Sequence, residues 1–309
     1  MDSSLLKLML AFAALVMIAT KKMIGQYWSK KAFRSGGSKS DSGIITSDAI
    51  EGQEEDTQGK RKTQNGENDQ AKTEEIKALK LLYYQLHNLE RFPEVLPRAK
   101  RLLLSLLKEA TATAEELSLR KSILSVRSFS QQGLAEFQYE RDKAIGKEWE
   151  QYNLRRRDGG PRELFEDRKE AIWWLQQISP LKYVDGAWLG YVGRVTTPFA
   201  LQKTMKSAWQ ILSEELGDGD LEKNHAHLYH NLLDTITPGF PTAELLDFGH
   251  PRHQLDELSV WKSALAQLLI SLFPTEFLPQ VLGFNLHFEA VSMDTLKAGM
   301  ELKELGIDP

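Results

Sequence analysis

The 309-residue chain contains no cysteine. That excludes disulfides, a thiolate nucleophile, a Cys-held structural zinc and an iron–sulfur cluster. Any bound metal must rest on histidine and carboxylate, donors that suit iron, manganese or zinc. Net charge is also scarce. The chain has 39 Lys plus Arg against 43 Asp plus Glu, a formal charge of −4, so no basic field exists for nucleic acid. Its glycines form neither a Rossmann nor a P-loop pattern, and no internal repeat is visible.

Long hydrophobic runs are missing as well. The N-terminal run Leu8–Thr20 (LMLAFAALVMIAT) falls short of the ~20 residues of a comfortable transmembrane helix. Lys7 precedes it, and Lys21, Lys22, Lys30 and Lys31 follow. With no clear small-residue cleavage site and the lysine excess after the run, residues 1–34 are expected to form a short membrane anchor with the body on the cytosolic side. A cleaved signal or organelle-targeting peptide is the alternative. Residues 35–73 are rich in Gly, Ser, Asp, Glu, Gln and Lys (GGSKSDSG, EGQEEDTQGKRKTQNGENDQ). They lack the apolar content to offset ordering entropy, and are expected to be a disordered linker.

From residue 74 to 309 the pattern is helical. Ile76, Leu79, Leu82, Tyr83 and Leu86 recur at three- and four-residue steps. Leu102, Leu103, Leu106 and Leu107 mark a second helix, and Thr113 with Glu115 and Glu116 reads as the start of a third. A further helix runs from about Gln131 to Arg155. Arg155–Arg157 then reads as a solvated helix end, and Pro161 as the opening of a helix that Ser179-Pro180 closes. Leu181–Val195 is aromatic and glycine-rich and is expected to be irregular helix. It holds one acid, Asp185, either supporting a metal ligand or capping a helix. A long helix from Thr197-Pro198 ends at Gly217. Leu221–Thr235, Glu257–Phe273 (apolar on one face), Thr275–Ser292 and Asp294–Leu305 complete an all-α bundle.

Metal-capable side chains concentrate between Glu214 and Leu232 (EELGDGDLEKNHAHLYHNL). Glu215 closes one helix and His225 opens the next, across a tight turn. At 100° per residue His225 lies about 200° from His227 and about 140° from His230, so at most one of the three can be a ligand, and His225 is nearest the turn. An EF-hand reading of Asp218-Gly-Asp220 fails. Its sixth and twelfth positions hold Lys223 and Tyr229 rather than Gly and Glu. Glu289, at the end of an apolar helix-forming stretch, is costly to bury unless paired or metal-bound. Asp247, His250, His253 and Asp256 are close in sequence, but Pro251 rules out their presentation on one helix.

The segments SPLKYVDGAWLGYV, TTPFALQKTMKSAWQILSEELGDGDLEKNHAHLY and SVWKSALAQLLISLFPTEFLPQVLGFNLHFE together resemble the iron-containing redox enzyme family, in the style of its fungal members. The resemblance covers about residues 165–305. It implies a haem-oxygenase-like fold close to that of the haem-oxygenase-like diiron oxidases. It also implies iron ligands at Glu215 (or Glu214), His225 and Glu289, the first half of a dinuclear site. The family's His/Asp/His cluster follows on a later helix that the sequence does not complete before Pro309, so the site is expected to be incomplete. The implied activity is an oxidoreductase that activates dioxygen and oxidises a small organic substrate, with Trp188, Tyr191 and Trp209 shaping a dry pocket. A membrane-tethered helical binding domain without catalysis, and a haem protein with His225 or another histidine as axial ligand, are the alternatives.

Overall fold

Residues 54–116 and 130–308 are described by a computed structural model, and every regular element among them is helical. In chain order these are α1 (Glu54–His87), α2 (Leu96–Glu116), α3 (Gln131–Arg157), α4 (Arg168–Lys182), α5 (Gln202–Glu215), α6 (His225–Ile236), α7 (Leu258–Ser271), α8 (Leu278–Phe288) and α9 (Met293–Glu304). Short 3₁₀ turns at Ala187–Leu189, Phe199–Leu201, Leu221–Lys223, Leu246–Gly249 and Pro251–His253 link the later helices.

The bundle is assembled around α7, which packs against α1, α2, α4 and the Ala187–Leu189 turn. Its sequence pattern implied one apolar face. Instead nearly its whole circumference is buried, from Val260 and Trp261 through Leu265 and Ala266 to Leu269 and Ile270, as happens to a helix surrounded by others. Of the polar side chains taken inside, Gln267 Nε2 donates to the Leu181 carbonyl at 3.2 Å and Ser271 Oγ to the Leu268 carbonyl at 2.9 Å, whereas Ser263 Oγ and Gln267 Oε1 are buried without a partner. Trp261 donates to the Leu255 carbonyl at 2.8 Å and meets Tyr83 edge-on at 5.3 Å. The Tyr83 hydroxyl donates to the Pro180 carbonyl at 2.9 Å, so α1, α4 and α7 are tied together at one aromatic junction.

Several boundaries differ from the sequence pattern. The stretch 35–73 reads as linker, yet α1 begins at Glu54. Glu, Gln and Lys are good helix formers, and the chain is helical from Glu54, well ahead of Ile76, the first buried residue among those whose burial is described. The anchor expected within 1–34, with the rest of that linker, lies outside the described residues. No helix among the described residues is long and apolar enough to cross a membrane. Thr113 starts no new helix, because α2 runs on to Glu116. The buried row Leu103, Leu106, Leu107 and Ala110 holds it, and no breaker intervenes.

Nor does Pro161 open α4. The chain stays irregular until Asp167, whose side chain caps α4 by accepting from the Glu170 amide at 2.9 Å. A long-range contact holds that loop open. Glu301 on α9, fully buried, accepts from the amides of Glu163 (2.6 Å), Leu164 (2.8 Å) and Phe165 (3.0 Å) and from the Tyr152 hydroxyl (2.6 Å). Arg155 and Arg156, read as a solvated helix end, close the same loop by donating to the Pro161 and Gly160 carbonyls and pairing with Glu163 and Glu304. Pro180 lies inside α4 rather than ending it. The missing amide costs little there, because the Gln176 carbonyl it would have used accepts from Ser179 Oγ at 2.7 Å instead.

Glu301→Gln keeps the shape but turns an amide group toward backbone donors. It is expected to lower unfolding free energy by about 3 kcal/mol, read as a lower urea midpoint, with α9 the first helix to lose amide protection. Burial lowers the pKa of His87, which lies beside the Tyr83 carbonyl at 2.9 Å. Since the unfolded chain then takes up a proton that the folded chain resists, stability is fully present above the unfolded value near 6.5 and falls as pH drops below it. His87→Gln is expected to flatten that slope between pH 7.5 and 5, measured by urea unfolding at each pH.

Candidate metal centre

Three helices end at the same place. α4 ends at Lys182, α5 at Glu215 and α8 at Phe288, with Asp185 just beyond the first and Glu289 capping the last. Helix C-termini carry partial negative charge, so their convergence, together with these carboxylates, favours a cation.

The α5–α6 connection fixes the pair anticipated from sequence. After Glu215 the chain turns through Gly217 (φ +83°), where a Cβ would lie 2.2 Å from the Asp220 carbonyl oxygen, so only glycine fits. Ser213 Oγ donates to Asp218 Oδ1 at 2.7 Å and locks the turn. Asn224 then caps α6, its side chain accepting from the His227 amide at 2.9 Å. His225 returns as the first residue of α6, with Nδ1 2.5 Å from Glu215 Oε2.

Asp185 completes the group. Its Oδ2 is 3.9 Å from His225 Nδ1 and is paired with Lys182. One donor atom from each of Asp185, Glu215 and His225 lies within 4.8 Å of the other two. It is brought there by Gly186, whose φ of +79° and contact with Glu215 both demand glycine: a Cβ would stand 2.8 Å from Glu215 Cβ. The sequence offered one signal for Asp185, an isolated acid in an apolar run, but not its choice between capping and metal support.

The electrostatics agree. Asp185 and Glu215 side chains are 9% and 10% exposed, against 47% for His225. Burial pushes the Glu215 carboxyl above its usual range. The Asp185 and Glu289 charges push the same way, while His225 and Lys182 oppose. Glu289 is raised too, first by burial, then by Glu214 and Asp185, with His225 opposing. Glu289, expected as a buried ligand, is instead exposed at the end of α8 and stands outside the trio, though within its electrostatic reach. Despite the close approach of His225, the buried Glu215 Oε2 accepts no hydrogen bond.

Other candidates separate. His227 Nε2 lies 3.1 Å from Asn231 Nδ2, and His230 Nδ1 3.4 Å from the Tyr183 hydroxyl, so neither joins His225. Asp247 pairs with Arg252 and His253, whereas Asp256 pairs with Lys80. Of the aromatics expected to line a dry pocket, Trp188 is buried and stacks on Phe288 at 4.7 Å, while Tyr191 and Trp209 are exposed. They sit on the glycine-rich loop and the outer side of α5, where neither packs into the core.

Residues 172–309 match the model of a family described as iron-containing redox enzyme. The match spans α4 from Ile172 onward and all the later helices, and so contains Asp185, Glu215, His225 and Glu289. No curated protein and no solved structure matches the chain. The residues present fit one such ion. Imidazole and carboxylate are suitable iron donors, Glu215 Oε2 is buried without a hydrogen bond, and the local charge is unbalanced toward negative.

Gly186→Ala is expected to displace Glu215 and weaken iron retention by about 10- to 100-fold, with a stability loss of about 1–3 kcal/mol. Equilibrium dialysis against Fe(II) and a urea melt measure the two effects separately.

Proposed function

We propose that this protein is an iron-dependent oxidoreductase that uses dioxygen to oxidise a small organic substrate. Asp185, Glu215 and His225 would hold the iron, and Glu289 would supply a carboxylate at its rim. One observation supports the reading above the rest: a buried carboxylate oxygen without a hydrogen bond, beside a second carboxylate and an imidazole, within the stretch that matches an iron-containing redox family.

Iron bound there would supply one-electron redox chemistry and a route to oxygen activation. The chain's own residues prepare the place. Lys182 holds Asp185 in position. Glu215 is raised by burial and by neighbouring acids, so a cation beside it would favour its ionised form. The half-exposed imidazole of His225 leaves one side open to solvent and substrate, while Trp188, Phe284 and Phe288 stack on one another in the segments that carry Asp185 and Glu289. A dinuclear site would draw on Glu214 and Glu289 as well, since both lie in the same field.

Anaerobic Fe(II) loading of the purified chain is expected to leave about one tightly held iron per chain. Glu215→Ala and His225→Ala should each abolish retention while the circular dichroism spectrum stays helical. No retained iron in the unmutated chain would overturn the proposal and leave a helical binding domain. About two irons would extend the site to Glu214 and Glu289. A Soret band on haem addition that persists in Glu215→Ala would favour haem instead.

A further inference from the structure

An opening lies along the same helices as the candidate metal centre. It is a groove of about 440 Å³ lined by Leu189, Lys203, Thr204, Ser207, Ala208, Ile211, Leu282 and Asn285. Its volume falls within the range of small-molecule sites, roughly 300–1,000 Å³.

The lining repeats the register of the donors. Ile211 precedes Glu215 by four residues and Asn285 precedes Glu289 by four, while Leu189 closes the 3₁₀ turn that follows Asp185 and Gly186. On a helix a step of four keeps to one face. Ala208 and Thr204 continue that row on α5, and Leu282 continues it on α8. The groove therefore leads away from the metal centre along the faces that carry the donors.

Its chemistry changes along its length. Near the centre it is walled by Leu189 and Ile211, with Leu282 one turn further out on α8. Asn285 is fixed there because its Oδ1 accepts from Trp188 Nε1 at 3.0 Å. Lys203 and the Thr204 hydroxyl stand at the far end, and no acidic side chain is among the lining residues. From Lys203 to Ile211 is eight residues of helix, about 12 Å. At about 1.2 Å per bond of an extended chain, that distance accommodates about ten bonds.

We propose that this groove binds an amphiphilic anion, a carboxylate on an unbranched aliphatic chain of about ten bonds. Its head sits at Lys203 and Thr204, and its body lies along Leu189, Ala208, Ile211 and Leu282. The far end of the chain, not the carboxylate, then lies nearest Asp185, Glu215 and His225. This assignment rests on the proposed iron centre for the meaning of that far end, but binding itself needs no iron.

Calorimetric titration of the metal-free full chain with decanoate, 1-decanol and decylamine below their micelle concentrations tests it, with melting curves to confirm that each variant folds. Decanoate is expected to bind saturably and at least about 10-fold more tightly than decanol or decylamine. Lys203→Gln should remove that preference, and Ile211→Trp should block all three by filling the groove. No saturable decanoate binding, equal affinity for decanoate and decanol, or decanoate binding unchanged in Lys203→Gln would each overturn the assignment. Because the titration is metal-free, its failure would leave iron retention at Glu215 and His225 untouched, and loss of iron retention would leave the groove result standing.

Discussion

Crowding of acids at the end of three helices is the constraint on which the rest of the site depends. Asp185, Glu215 and Glu289 are brought together where α4, α5 and α8 all present their negative ends, with Lys182 and His225 as nearby counterweights. Asp185 and Glu215, both largely buried, repel each other and lose hydration, and the exposed Glu289 adds its charge from the rim. The fold tolerates the arrangement because a large apolar core built on α7 offsets it, and because Lys182 and His225 compensate part of the charge. A cation would complete that compensation, so the electrostatic cost of the site and its proposed use have the same origin.

Local backbone geometry makes this crowding possible. Gly186 lets the segment after α4 approach α5 so closely that Glu215 Cβ would collide with any larger residue, and Gly217 lets the chain reverse within one turn. Gly186 directly follows Asp185, and Gly217 lies two residues after Glu215. The donors themselves sit at helix ends rather than in helix interiors, where side chains of neighbouring helices can meet without either helix distorting. The groove follows from the same placement: where the helices run away from the cluster, their donor-bearing faces continue as small and aliphatic residues and leave room between α5 and α8.

Distant contacts support the arrangement from the other side of the bundle. Glu301 collects three loop amides and a tyrosine hydroxyl. It thereby sets where α4 begins, and the end of α4 sets where Asp185 stands. The Tyr83 hydroxyl on the Pro180 carbonyl fixes the same helix near its C-terminus. Asp185 is thus located by contacts formed by α1 and α9, far from it in sequence.

The helical class, most helix positions and the Glu215–turn–His225 unit were legible in the sequence, because they depend on short-range rules: 3.6-residue periodicity, helix caps and glycine turns. Rotation about a helix axis was enough to set His227 and His230 apart from His225. Asp185 was not legible as a member of the cluster, since its neighbours there lie 30 and 40 residues away and meet it only across the Gly186 contact. The loop before α4 was misread for a similar reason: Pro161 signals a helix start, and only a carboxylate 140 residues later holds the segment open. The sequence by itself determined which side chains are able to bind a metal and which local turns present them. Tertiary structure alone decided which of them share one site, because the burial and mutual repulsion that define the site arise only when separate helices end at the same point.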